Sequence, residues 1–218
     1  MPRALFEKTG NAIYISHLDL MRLFQRAFKR AGLHLTHTKG FNPRPSVSIA
    51  LPLSLGVESV CELLDFDLEG ESCSCEEIRE RLNQCLTEGV RVLEVYDNGS
   101  KIKNLAYLTC HVTMEYDAGI PEGAAEKIRD LFASSELIVE KKGKNGITEQ
   151  NIADMIKSLS VEAVSEQELC LKATICCQNP SLNPAQLTAA ISKYIPGLTP
   201  DFVRICRREI YNTSNEIF

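Results

Sequence analysis

The sequence predicts an α+β protein. Strand-like and helix-like apolar periods follow one another in the order β-α-β-β-α-β. The same order recurs, less cleanly, in the second half. Between the two lies a polar stretch, residues 97–104. At 218 residues the chain is long enough for two such units of roughly 80–100 residues each. The predicted domains are 1–98 and 105–218.

Residues 3–15 read as an extended hairpin, with strand character at 5–8 and 12–15 and a turn at 9–11. A helix follows. Ser16 is its N-cap and Asp19, three residues on, completes a short capping box. Leu20, Met21, Leu23, Phe24, Ala27, Phe28 and Ala31 make one apolar face, and Arg22, Arg26, Lys29 and Arg30 the opposite one. Gly32 closes the helix. A strand is expected at 46–51, with Val47, Ile49 and Leu51 on one side and Ser46, Ser48 and Ala50 on the other. The next, 59–68, puts Leu64, Phe66 and Leu68 on one face and Asp65 and Asp67 on the other. A helix at 75–86 and a strand at 90–96 complete the unit, a split βαβ or ferredoxin-like arrangement.

In the second half, strands are predicted at 107–116, 137–142, 168–177 and 202–211. Helices are predicted at 121–133, opened by Pro121, and at 183–194. Residues 148–158 fit either a helix or a strand. The expected fold is therefore two tandem ferredoxin-like units packed across a cleft.

Charge is unevenly spread. The first fifty residues hold eight Lys or Arg against two acids, a formal +6, in a chain of net −5, which leaves −11 for residues 51–218. We expect a basic first unit and an acidic second one. Nine cysteines in a chain of this length, an odd number, suggest reduced thiols rather than a disulfide framework. No C-x-x-C occurs, nor the C-x3-C-x2-C cradle of a radical S-adenosylmethionine (SAM) enzyme, so no iron–sulfur cluster, metal or other cofactor is expected. The first residues lack the apolar region of a secretory signal, and no apolar run approaches the ~20 residues that span a bilayer. A cytoplasmic protein with no membrane contact is the expectation.

The segments SHLDLMR (16–22), GFNP (40–43) and ALPLSLGV (50–57), with FEKTG (6–10) before them and ELLDFD (62–67) after, resemble the radical-SAM-linked protein family. This is a bacterial family of unknown function, found beside or fused to cobalamin-type radical-SAM proteins. The resemblance covers residues 5–68 and implies a radical-SAM protein as partner. Relatives often carry a histidine where this chain has Arg44, and a basic residue where it has Ser46.

Four places are candidates for a site. The first is the cationic helix face, Arg22, Arg26, Lys29 and Arg30. Joined by Lys8, Lys39 and Arg44, it forms a patch suited to nucleic-acid phosphates, or else a solvated or ion-paired face. The second is His17 in the first helical turn, where backbone N–H groups favour an anion; it equally suits a cap. The third is the loop KGFNPRP (39–45), stiffened by two prolines, whose Phe41 and Asn42 suit contact with a base or a plain strand entry. The fourth is the sheet face with Ser46, Ser48, Asp65 and Asp67, a site for an amine or cation or simply a paired surface.

The leading expectation is a non-catalytic accessory protein. It would work with a radical-SAM enzyme and hold RNA or an RNA–protein assembly by its first unit. Tandem ferredoxin-like units with a basic helix also resemble RAMP-type endoribonucleases. That reading makes His17 or His37 the general base, with Lys39 or Arg44 stabilising the phosphorane. It requires His17, His37 and Lys39 to converge. A third reading is a small-molecule binder on the open sheet face.

Overall fold

The computed structural model describes residues 2–70, 73–97, 99–143 and 146–218. They form a mixed α+β protein with antiparallel strand pairing. The chain divides into two compact units, Met1–Asn104 with Phe218, and Leu105–Ile217.

The first unit contains β1 (Arg3–Lys8), α1 (His17–Arg30), β2 (Val47–Ile49), β3 (Val57–Phe66), α2 (Cys75–Asn83) and β4 (Val90–Tyr96). β1 is central, antiparallel to β3 on one side and β4 on the other, and β2 flanks β3. The strand order is therefore β4-β1-β3-β2. Because β1 has both neighbours filled, no edge is left for a local hairpin. Residues 12–15, expected as its second arm, instead fall in and just after a 3-10 turn, Gly10–Tyr14. The turn is tied to β4 where Thr9 N–H donates to Gly89 O (2.8 Å). Gly89 has φ +80°, and a Cβ there would stand 2.4 Å from the Thr9 carbonyl oxygen, so only glycine fits.

α1 forms as its periodicity dictates. Ser16 Oγ accepts from Asp19 N–H (3.2 Å) at the start. At the end, Gly32 at φ +65° lets its own N–H reach Lys29 O and the Leu33 N–H reach Phe28 O, a Schellman closure. The buried face is Leu20, Phe24, Ala27 and Phe28. Phe24 meets Phe6 edge-on (centroids 4.8 Å apart), and Phe28 meets Phe66 (4.9 Å). Ile78 and Leu82 of α2 complete this core.

The two helices hold each other's C-termini. Arg81 of α2 donates through Nε to Ala31 O (2.9 Å), the C-cap carbonyl of α1. Arg30 of α1 donates to Cys85 O, just beyond α2. A guanidinium at each helix end satisfies carbonyls that the helix itself leaves unpaired. Asn83 then clamps β4, donating to Val92 O and accepting from Val92 N–H, both 2.8 Å.

The second unit contains β5 (Leu105–Glu115), α3 (Ala124–Phe132), β6 (Ile138–Gly143), β7 (Gly146–Asn151), β8 (Ile156–Ala163), β9 (Glu168–Cys176), α4 (Ala185–Tyr194) and β10 (Phe202–Asn212). β5 lies between β10 and β9, with β8 outside β9. That is the strand permutation of the first unit. β6 and β7 form a separate ribbon. The ambiguous stretch 148–158 resolves into β7, a 3-10 turn Ala153–Met155 and the start of β8. Ile152 and Met155 are buried there, and this anchoring divides the segment.

The expectation of a basic first unit needs correction. Met1–Asn104 carries thirteen Lys or Arg against fourteen Asp or Glu, a formal −1. The positive excess is confined to residues 1–50. No helix among the described residues is long and apolar enough to cross a membrane.

Phe28→Ala removes a fully buried ring from the contact with Phe66 and should cost about 3–5 kcal/mol in denaturant unfolding. The thiols should differ in reactivity. Burial pushes Cys110 up to about 12 and Cys177 up to about 11, whereas Cys73 and Cys85 are only half-buried. A thiol reagent followed by mass spectrometry should label Cys73 and Cys85 first, and Cys110 and Cys177 only on unfolding.

Candidate nucleic-acid interface

α1 positions the cationic face. With Phe24 and Phe28 fixed in the core, Arg22, Arg26, Lys29 and Arg30 are all turned to the exposed side. Beside Arg22, Arg26 and Arg30 runs a groove of about 470 Å³, lined also by the Asp19 carboxylate, by Ile15 and Leu23 as its apolar part, and by Thr87. The four cations are not equivalent. Arg22 Nη1 is paired with Asp19 (2.9 Å), an exposed contact of small energetic weight. Arg30 is committed to Cys85 O. Arg26 and Lys29 make no hydrogen bond or ion pair among the described residues, and Arg26 acts on the Asp19 carboxylate at longer range.

The loop at 39–45 is the tip of a short ribbon. Thr38 N–H donates to Arg44 O (2.8 Å), Arg44 N–H donates to Thr38 Oγ1 (3.0 Å), and His37 bridges Pro45. Gly40 takes φ +145° at the tip. Lys39, Asn42 and Arg44 are exposed, and Phe41 is 100% exposed. A fully solvated phenyl ring on a proline-braced tip, between two cations, has the form of a stacking platform.

Other expected members are not at this surface. Lys8 is buried, 1% exposed, and its Nζ donates to Ile13 O (3.1 Å). Burial lowers its pKa and Glu62 opposes the shift. Lys8 alternates in phase with Ala4 and Phe6 on β1, so it shares their inward face. The carboxylates expected on the open sheet face both have partners within the protein. Asp65 lies opposite Arg3 in the β1–β3 register and accepts from its Nε (2.6 Å) and Nη2 (3.1 Å). Asp67 Oδ2 accepts from Thr36 Oγ1 (2.9 Å). Ser46 is held through its backbone, its N–H donating to Thr36 O, while Ser48 is exposed and faces Asp65 across the β2–β3 pair. Both carboxylates are already engaged within the protein.

His17 and His37 do not come together. His17 opens α1, just after the turn whose Ile13 O receives the Gly56 N–H at the Val57 end of β3. His37 follows Thr36, whose N–H donates to Asp67 O beyond the Phe66 end of β3. Fourteen residues of α1, about 21 Å of helix, lie between the two ends. The acid–base pair of a nuclease needs hydrogen-bond reach to one reacting group. His37 Nδ1 instead faces Glu69 Oε1 at 3.9 Å. No group of three or more His, Cys, Asp or Glu suited to a metal ion occurs among the described residues. Thr38, which closes the ribbon, and Thr87, which borders the groove, carry no sequence signal. Their roles depend on which turns the fold brings beside α1.

The chain belongs to a family of uncharacterized proteins conserved in bacteria (DUF2344), which matches residues 2–184. No curated protein matches it significantly. Among solved structures, a chain of the Cbf5–Nop10–Gar1 complex is similar in fold, with TM-score 0.52 and 9% identity over 96% of this chain and 48% of that one. This chain thus spans about half the length of that neighbour. An unknown protein from Galdieria sulphuraria matches at TM-score 0.28 and 12% identity, over 94% of this chain and 96% of that one.

Ser16→Ala should cost about 1 kcal/mol of stability by removing the N-cap of α1. Acid should loosen the same turn. The Ser16 hydroxyl, then Arg22 and, more weakly, Arg26, hold the Asp19 carboxyl below its ordinary value. Its contribution is therefore present above that ordinary value and is lost as pH falls through the lowered one. The protection factor of the Asp19 amide, taken relative to the intrinsic exchange rate at each pH, should fall on acidification in the wild type, and much less so in the Ser16→Ala variant.

Proposed function

We propose that this protein is a non-catalytic nucleic-acid-binding accessory factor whose ligand is single-stranded RNA. The observation that carries the reading is the exposed cationic face of α1, on which Arg26 and Lys29 make no hydrogen bond or ion pair among the described residues. The tip bearing Lys39, Phe41 and Arg44 supports a single strand over a duplex, because a stacking ring needs an unpaired base. The shared strand permutation supports two tandem ferredoxin-like units. The resemblance of residues 5–68 to radical-SAM-linked proteins supports a partner that supplies the chemistry while this chain holds the substrate. The separation of His17 from His37 favours this reading over a nuclease.

The test is binding of a labelled single-stranded RNA at two salt concentrations, by wild type and by an Arg22→Ala/Arg26→Ala/Lys29→Ala variant. Arg30 is left in place because it holds the end of α2. Wild-type binding should weaken with salt, and the variant's log–log salt slope should be shallower by about 2. RNA should be recovered intact. Equal binding by both proteins would remove α1 from the interface, and cleaved RNA would restore the nuclease.

A further inference from the structure

The second unit carries a site of its own. Along β5 the residues alternate between core and open side. Cys110 and Val112 are buried, while Thr109 and His111 are on the other face. The register then sets Ser160 of β8, Lys172 of β9 and His111 of β5 in one row across the sheet. Ser158, Thr174 and Thr109 form the next row. On β10 the register slips between Arg207 and Glu209. Such a bulge re-aims a side chain, and here the inserted residue is Arg208, which is exposed and borders the same hollow. These groups surround an open cavity of about 430 Å³.

We propose that this hollow binds a phosphoryl group through His111, Lys172 and Arg208, with the Ser160, Thr174 and Thr109 hydroxyls as further donors. Three nitrogen groups on three strands, ringed by hydroxyls, suit a tetrahedral oxyanion. A carboxylate would be satisfied by one guanidinium. Two acids adjoin these groups, Glu209 in the lining itself and Glu162 beside Lys172, and each has a partner. Glu162 pairs with Lys172, and Glu209 Oε2 accepts from Tyr211 (2.9 Å). His111 makes no hydrogen bond to another described residue. Burial, then Arg208 and Lys172, hold its pKa below the ordinary imidazole value, with Glu162 opposing. A neutral ring at neutral pH still donates one N–H to an anion. The site is separate from the α1 interface and does not rest on the RNA reading.

The experiment follows the His111 ring resonances of the full chain by NMR during titration with inorganic phosphate, with sodium chloride at equal ionic strength as control. A saturable shift with phosphate alone is expected, weakened roughly tenfold in Arg208→Gln, as loss of one charge-assisted bond implies. Arg208 is exposed, so the variant should fold, and amide spectra check this. Two trinucleotides, with and without a 5′-phosphate, separate the sources. Preference for the phosphorylated one assigns a terminal phosphate, and equal binding assigns a backbone phosphodiester. A phosphate response no larger than that of chloride, or an Arg208→Gln variant that binds as wild type, overturns the proposal.

Discussion

The seating of α1 on the sheet is the constraint from which the first unit's surface follows. Phe24 and Phe28 insert against Phe6 and Phe66, and each ring contributes on the order of 3 kcal/mol by burial. Once those two positions face inward, a 3.6-residue period leaves Arg22, Arg26 and Lys29 no orientation but outward. The cationic face is thus a by-product of core packing. Its charges could be placed by sequence at little cost to folding, because exposed ion pairs contribute little.

Charge inside the unit is handled differently. Arg3 and Asp65, 5% and 19% exposed in their side chains, satisfy each other across neighbouring strands. Lys8 is taken inward with a backbone carbonyl as acceptor. Removing one partner of such a pair is far more damaging than removing an exposed charge. The same residue types therefore have opposite meanings on α1 and on β1. Counting cations along the sequence cannot tell them apart; strand phase identifies Lys8 but not Arg3, which lies on the other phase and is buried against its partner Asp65.

Much of the fold was legible. α1 was readable to its ends because Ser16, the apolar period and Gly32 all agree. The strand at 90–96 was readable by alternation, and so was β10. The reading failed where structure depends on distant neighbours. Residues 12–15 have strand character but no free edge to pair with. Asp65 looked available because its partner, Arg3, is sixty-two positions away. At the candidate interface, Arg22, Arg26 and Lys29 could be found from helical spacing. The exposure of Phe41 could not, since the same sequence suits a buried plug. The hollow on the second unit was hidden for another reason. Its rows exist only through register, and the slip that re-aims Arg208 leaves no mark in the sequence.

The crossed guanidinium contacts at the helix ends bear on how this surface can vary over evolutionary time. Arg30 lies in line with the cationic face but serves as a cross-brace, with Arg81 as its counterpart. Arg26 and Lys29 have no such duty. Related proteins could therefore recolour the middle of the face to suit a different ligand while the brace at its end stays put. Specificity and architecture would then drift at separate rates within two turns of one helix.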